Sequence, residues 1–268
     1  MAVKLFVTDL DGTLLPSGRE VSKENIRAVQ EAVARGVVVT IATGRMYRAS
    51  LPIARSLEVD VPIITYNGAL IKSVQGEVFY SNFLSPENIL EVLEFCHGKG
   101  WHVQLYSDDV LYYAEENCYS ESYETLQQIK GQAVGWQELA KRTVHVTKLL
   151  SVSDSQEETD ERVRILQAEF GSRLSIMKSH PLYTEIINPG ISKAAGLERL
   201  AAELGIDIRD TMAIGDSDND IPMLKAAGKS VAMGNALPNV KDVCDYVTGS
   251  CEDNGVAEAI RQYVLQEK

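Results

Sequence analysis

The sequence predicts an α/β protein in which a parallel-sheet core is interrupted by an inserted α+β segment. Three observations predict it. Apolar runs alternate with amphipathic helical stretches at both ends of the chain; strands in the middle come instead in adjacent pairs; and acidic or glycine-bearing turns follow the outer strands.

Lys4 to Thr8 reads as the first strand, rich in Leu, Phe and Val and closed by the turn-prone Asp11-Gly12. From Val21 a helix is expected: Ser22 is its N-cap, Val21 and Ile26 suit a hydrophobic staple, Ile26, Val29 and Val33 share a face, and Gly36 ends it. Val37 to Ile41 is a continuous β-branched run, as in a parallel strand covered on both faces. A helix from about Met46 to Leu57 and a strand from Val61 to Thr65 complete a βαβαβ opening. After Asn67-Gly68 the rhythm changes, because Ala69 to Ile71 and Val78 to Tyr80 flank Gln75-Gly76-Glu77 like a hairpin. Ser85-Pro86-Glu87 opens a helix with Pro at its first position. His102 to Tyr106 then pairs with Leu111 to Ala114, and Leu174 to Lys178 with Tyr183 to Ile187, an antiparallel pattern with helices on one face. The acidic stretch Asp154 to Glu161 reads as the solvated start of a helix. Beyond Asn188 the alternation returns: helix Ser192 to Leu204, strand Thr211 to Ile214, helix Asp218 to Ala227, strand Ser230 to Met233. The two alternating stretches therefore form one domain, residues 1–82 and 188–268, with 83–187 inserted. Ser81 to Pro86 and Asn188-Pro189-Gly190 are the expected hinges.

Composition narrows the function classes. With 268 residues, 45% hydrophobic and 24% charged, the chain can build two ordinary cores. A net charge of -12 without a Lys/Arg cluster argues against nucleic-acid partners. The same field repels a phosphate ester, so local positive charge, such as a divalent cation, must overcome it wherever one binds. Cys96, Cys118, Cys244 and Cys251 form neither a CxxC pair nor a disulfide framework, which fits the cytosol. The apolar start from Met1 to Val7 is too short for a signal peptide or a membrane span, and no membrane partner is expected.

Four separated segments carry chemistry. In Asp9-Leu10-Asp11-Gly12-Thr13, carboxylates two apart along an extended chain face the same way, and a divalent cation is the usual reason to tolerate such crowding. Thr43-Gly44-Arg45 offers a hydroxyl and backbone N–H groups before a helix, an anion cradle that suits phosphate, with Gly44 permitting close approach. Lys193, just after a predicted N-cap, can neutralise phosphate or hold Asp9 ionised. Gly215-Asp216-Ser217-Asp218-Asn219-Asp220 gathers hard oxygen ligands for magnesium at a helix start.

In this order and strand context the four segments resemble the motifs of haloacid dehalogenase-like phosphatases, and the place of the insert, the Asn67-Gly68-Ala69 turn and the last segment are most similar to the Cof-type subfamily. The resemblance implies a Rossmann-like parallel-sheet core domain with an inserted α+β cap domain that reads the leaving group. It implies a Mg²⁺-dependent hydrolase in which Asp9 attacks phosphorus to form an aspartyl-phosphate and Asp11 acts as acid and then base. By the same resemblance Asp9, Asp216 and the backbone carbonyl of Asp11 hold the metal, and Asp220 supports them. Thr43, Gly44, Lys193 and Asn219 bind phosphoryl oxygens, while Arg45 and Asn67 are candidate substrate contacts. Family members commonly have Gly after the motif lysine; this chain has Ala194, from which a small shift of that turn is expected.

Simpler readings accompany these. Arg45 either pairs with a carboxylate or touches substrate, and Asp218 suits an N-cap or solvent-facing role better than metal binding. His97, His102, His145 and His180 lack metal-ligand spacing; His180, beside Pro181, is the one candidate for substrate. A small phosphorylated metabolite is the expected partner, with sugar phosphates ranked first. A phosphotransferase or phosphomutase on the same fold is the alternative. A phospho-receiver module is the reading from another class, disfavoured by Asp9 on the first strand and by the large insert.

Overall fold

The computed structural model describes residues 2–16 and 20–266. In chain order the elements are β1 (Leu5–Thr8), α1 (Lys23–Ala34), β2 (Val38–Ile41), α2 (Tyr47–Ser56), β3 (Ile63–Thr65), β4 (Leu70–Lys72) and β5 (Val78–Ser81). Next come α3 (Pro86–Gly98), β6 (Val103–Ser107), β7 (Val110–Tyr113), α4 (Cys118–Gln127), β8 (Gln132–Ala133), α5 (Trp136–Leu139), β9 (Val146–Val152), α6 (Gln156–Phe170), β10 (Ser175–His180) and β11 (Tyr183–Ile187). The chain finishes with α7 (Lys193–Glu203), β12 (Thr211–Gly215), α8 (Ile221–Ala226), β13 (Lys229–Ala232), α9 (Pro238–Lys241), β14 (Tyr246–Val247) and α10 (Gly255–Ala259). Two compact units result, Met1–Tyr80 with Ser192–Lys268, and Ser81–Ile191.

The first unit is built on a five-stranded sheet of order β14-β13-β12-β1-β2, parallel throughout. All four residues of β1 are buried, as expected of a parallel strand covered on both faces. The chain moves from β1 outward to β2 in one direction and from β12 outward through β13 to β14 in the other. The switch point therefore lies between β1 and β12, where loops at the carboxyl ends diverge and leave a crevice for ligand. Although first in sequence, β1 is spatially an inner strand, so strand position alone does not separate this fold from a receiver module.

Local chemistry explains the flanking helices. Ser22 caps α1 by accepting from the Asn25 amide at 3.1 Å, and Ser192 caps α7 by accepting from Ala195 at 3.1 Å. The buried stripe of α1 is Asn25, Ala28, Val29 and Ala32, whereas Val33 is exposed. Small residues face inward because α10 docks there, with the Ala257 amide bonded to Asn25 Oδ1 at 3.0 Å.

The third strand departs from the expected βαβαβ pattern. A parallel bridge at Ala42 and Ile64 links it to the end of β2, and its ladder is antiparallel to β4 in a small sheet of order β3-β4-β5. Pro62, just before β3, has no N–H with which to extend a ladder along β2, and its carbonyl accepts from the Thr40 hydroxyl at 2.6 Å.

In the second unit, six strands run in the order β10-β11-β9-β6-β7-β8, antiparallel except for β7 with β8. One face buries Val103, Leu105, Leu149, Ile176 and Ile186 beneath α3 and α6. Side chains that alternate with these are largely polar: Gln104, Tyr106 and the buried ion pair Lys148–Glu185, 2.9 Å apart. The acidic stretch is the solvated start of α6, capped by Ser155. Among the described residues no helix is long and apolar enough to cross a membrane.

Candidate active site

Apart from His180, every predicted site residue lies in the first unit, and most follow the carboxyl ends of β1, β2 and β12. Asp9 directly follows β1 and is buried. Lys193 is the first residue of α7, and its ammonium donates to Asp9 Oδ1 at 2.6 Å and to Asp220 Oδ1 at 2.7 Å. One oxygen each from Asp9, Asp216 and Asp220 lies within 4.8 Å of the others.

Glycines make this crowding feasible. At Gly12, with φ +79°, a Cβ would stand 2.6 Å from Asp216 Oδ2; at Gly215 it would stand 2.5 Å from the Asp220 carboxyl carbon. Asp220 folds back over its own turn, where Oδ2 accepts from the amides of Asp216 and Ser217, each at 3.1 Å. With Lys193 on Oδ1 and these amides on Oδ2, Asp220 acts as a brace for the loop. Asp216 is oriented by Thr13, whose hydroxyl donates to Oδ1 at 2.8 Å.

The Thr43–Gly44–Arg45 turn offers fewer donors than the expected anion cradle. The Thr43 amide bonds to the Ile64 carbonyl at 2.9 Å, so it is not an anion donor. The Thr43 hydroxyl accepts from the Arg45 amide at 3.1 Å, which leaves its own proton to donate. Gly44 lies against the Asn67 amide, where an added Cβ would meet Oδ1 at 3.1 Å, and Asn67 Oδ1 in turn accepts from Asn219 at 3.3 Å. Tyr66 (φ +52°) and Asn67 (φ +55°) both hold left-handed backbone to deliver that amide. Arg45 reaches Asp11, donating from Nε to Oδ2 at 2.8 Å and from a terminal nitrogen to Oδ1.

Electrostatics favour a cation. Three carboxylates against one ammonium leave two excess negative charges in a largely buried cluster. Burial, and then the neighbouring Asp220, push Asp9 well above the usual carboxylate range and Asp216 up to about 6. Burial alone would lower Lys193, but Asp220 and Asp9 outweigh it and raise the ammonium above its ordinary value. Hard oxygen donors, an excess of two negative charges and glycines that keep the loop tight together fit a divalent cation.

A pH dependence follows. Because the native pKa of Asp216, about 6, exceeds its unfolded value, the native state holds more protons, and metal-free stability should fall as pH rises between roughly 4 and 6. Protons and a divalent cation bound there would compete for the same carboxylate, so thermal stabilisation by a fixed concentration of divalent cation is expected to be larger at about pH 7.5 than at about pH 5. Differential scanning fluorimetry at the two pH values measures this; equal shifts would argue against Asp216 as a cation ligand.

Some contributors escaped sequence reasoning. Thr13 carried a signal, being a buried hydroxyl inside the first motif, whereas Asn235, which donates to the Gly12 carbonyl at 2.8 Å, carried none. Asp218 is exposed and accepts from Asn239 at 2.6 Å, while Ser217 takes the N-cap position, so Asp218 is solvent-facing. Ala194 lies within the first turn of α7, and Gly196 is the glycine that packing demands, with Ile64 2.5 Å from its would-be Cβ. The histidines form no cluster: His97 stacks on Trp136, His102 contacts Gln104 and Asn117, His145 pairs with Asp108, and His180 lies on Tyr183.

A parallel sheet with a buried Asp-Lys-Asp network at its switch point and a three-carboxylate cluster defines a class of phosphoryl-handling α/β enzymes. A family model described as haloacid dehalogenase-like hydrolase matches residues 6–260. The chain is 34% identical over 266 residues to the 5-amino-6-(5-phospho-D-ribitylamino)uracil phosphatase YcsE of Bacillus subtilis (strain 168), covering 98% of this chain and 96% of that protein. A solved haloacid dehalogenase-like hydrolase from Bacteroides thetaiotaomicron superposes with a TM-score of 0.88 at 30% identity, covering 97% of this chain and 99% of the other. A sugar phosphatase of haloacid dehalogenase subclass IIB superposes with a TM-score of 0.85 at 26% identity, covering 97% and 99%. The chain belongs to the haloacid dehalogenase-like hydrolase family, in its Cof-type branch, and is a phosphoric monoester hydrolase.

Proposed function

We propose that this enzyme hydrolyses a small phosphorylated metabolite, a sugar phosphate in first place, through a phosphoryl-aspartate at Asp9 with Mg²⁺ as cofactor. The observation that carries the reading is the buried Asp9 carboxylate, held by Lys193 beside Asp216 at the switch point. In the first step an Asp9 oxygen bonds to phosphorus, the ester P–O bond breaks, and Asp11 gives its proton to the leaving oxygen. In the second, water attacks phosphorus, Asp11 accepts its proton, and the bond to Asp9 breaks to release inorganic phosphate. Asp9, Asp216 and the Asp11 backbone carbonyl would hold Mg²⁺, with Asp220 in support; when bound, the ion neutralises charge on the crowded oxygens. Thr43, Gly44, Lys193 and Asn219 would bind phosphoryl oxygens, with Arg45 and Asn67 near the substrate. Positioning and charge neutralisation are most of what phosphoryl transfer asks of a protein.

Two relatives favour a sugar or polyol ester: one acts on a phospho-ribityl compound by name, the other is named a sugar phosphatase. The inserted unit is assigned the reading of the leaving group.

Phosphate release from a panel of sugar, polyol, nucleotide and pyridoxal phosphates, run with Mg²⁺ and with a chelator, tests the proposal. Selective release that stops in chelator without loss of far-ultraviolet dichroism is expected. Release from no member would favour a transferase or receiver; release that survives chelation would overturn the metal assignment.

A further inference from the structure

The Arg45–Asp11 pair is at odds with the work assigned to Asp11. Both oxygens of its carboxylate accept from one guanidinium, Oδ2 from Nε and Oδ1 from a terminal nitrogen. While this fork is closed, one lone pair on each oxygen is engaged by Arg45, and the carboxylate is held against the guanidinium instead of being turned toward a reacting oxygen. Opening the fork would free the carboxylate to turn toward a reacting oxygen.

The two partners differ in freedom. The Arg45 side chain is 10% exposed and that of Asp11 55%. Arg45 is also fixed through its backbone, since its amide donates to the Thr43 hydroxyl at 3.1 Å and its carbonyl accepts from Tyr66 at 2.9 Å. The guanidinium is thus largely buried beside the Thr43–Gly44 turn, whereas the Asp11 carboxylate is more than half exposed. An ion pair with one partner more than half exposed is weak. A phosphate monoester brings up to two negative charges and oxygens spaced for the same planar fork, so it competes for Arg45 on favourable terms.

We propose that Arg45 is an exchangeable clamp: it holds Asp11 when the cradle is empty and transfers its guanidinium to the phosphoryl group on binding, so that anion capture releases the acid–base carboxylate. The two sequence readings of Arg45, carboxylate partner and substrate contact, then describe successive states of one residue. The inference rests on the phosphatase reading for the identity of the anion and the duty of Asp11.

A double-mutant cycle on inorganic phosphate binding tests it, by isothermal titration with Mg²⁺ present. Asp11→Asn removes the competing carboxylate charge and should tighten phosphate binding about three- to fivefold, the size expected for loss of one exposed ion pair. Arg45→Gln should weaken binding, and adding Asp11→Asn to Arg45→Gln should then change affinity by less than about twofold. Arg45→Met, which keeps the aliphatic stem, repeats the cycle should Arg45→Gln fold poorly. Equal tightening by Asp11→Asn in both backgrounds would mean simple charge removal and overturn the clamp, as would no tightening in either. Failure of every form to bind phosphate, with no release from the metabolite panel, would instead overturn the phosphatase reading itself.

Discussion

Asp9→Asn is expected to lower phosphate release by at least about 10³-fold while leaving the protein folded. An amide oxygen is a poor nucleophile toward phosphorus and a weaker metal ligand than a carboxylate, so both duties proposed for Asp9 fail together. Stability should change little, because Asn keeps an oxygen that can accept from Lys193 as Asp9 Oδ1 does at 2.6 Å. Loss of one negative charge from the crowded cluster offsets part of what the weaker bond gives up. Steady-state release assays paired with thermal melts measure both arms. Turnover within about tenfold of wild type would sink the nucleophile assignment, and a collapsed melt would mean that Asp9 matters first for folding.

Lys193→Met should damage both activity and stability. The Lys193 side chain is 1% exposed and spans Asp9 and Asp220, which are 5% and 0% exposed. Removing the cation leaves buried carboxylates facing one another without a counter-charge, a type of change that costs about 3–5 kcal/mol. Urea unfolding in the presence of chelator is the appropriate measurement, since bound metal would mask part of the loss. The deficit should shrink as pH falls: Asp9 already titrates well above the usual carboxylate range because of burial, and without Lys193 it takes up a proton more readily still. A deficit independent of pH would show that Lys193 acts through packing and not through charge.

The fold of the first unit was legible because its signals are local. Ser22 and Ser192 precede helices they do cap, and the β-branched run ending at Ile41 is a covered parallel strand. The expected strand pairs of the second unit also form, β6 with β7 and β10 with β11. Its central strand β9 was not legible. Val146–Val152 carries Lys148 and Ser151 within it and pairs with β6 and β11, both distant in sequence. Only the finished sheet, which gives Lys148 the carboxylate of Glu185, makes that segment a buried strand.

At the candidate site the chemistry-bearing residues were legible as types in order: two aspartates after the first strand, a Thr-Gly-Arg turn, a lysine at a helix start, an acidic loop at the next. That much the sequence determined by itself, because strand ends, caps and glycine turns are short-range features of the chain. Tertiary structure alone decided which groups meet. It set Lys193 between Asp9 and Asp220, turned Thr13 onto Asp216, spent the Thr43 amide on Ile64 and closed Arg45 over Asp11. Each of these joins residues from different segments, brought within about 3 Å by the parallel register of β1, β2 and β12 and by the docking of α7, and a hydrogen bond acts only at that range.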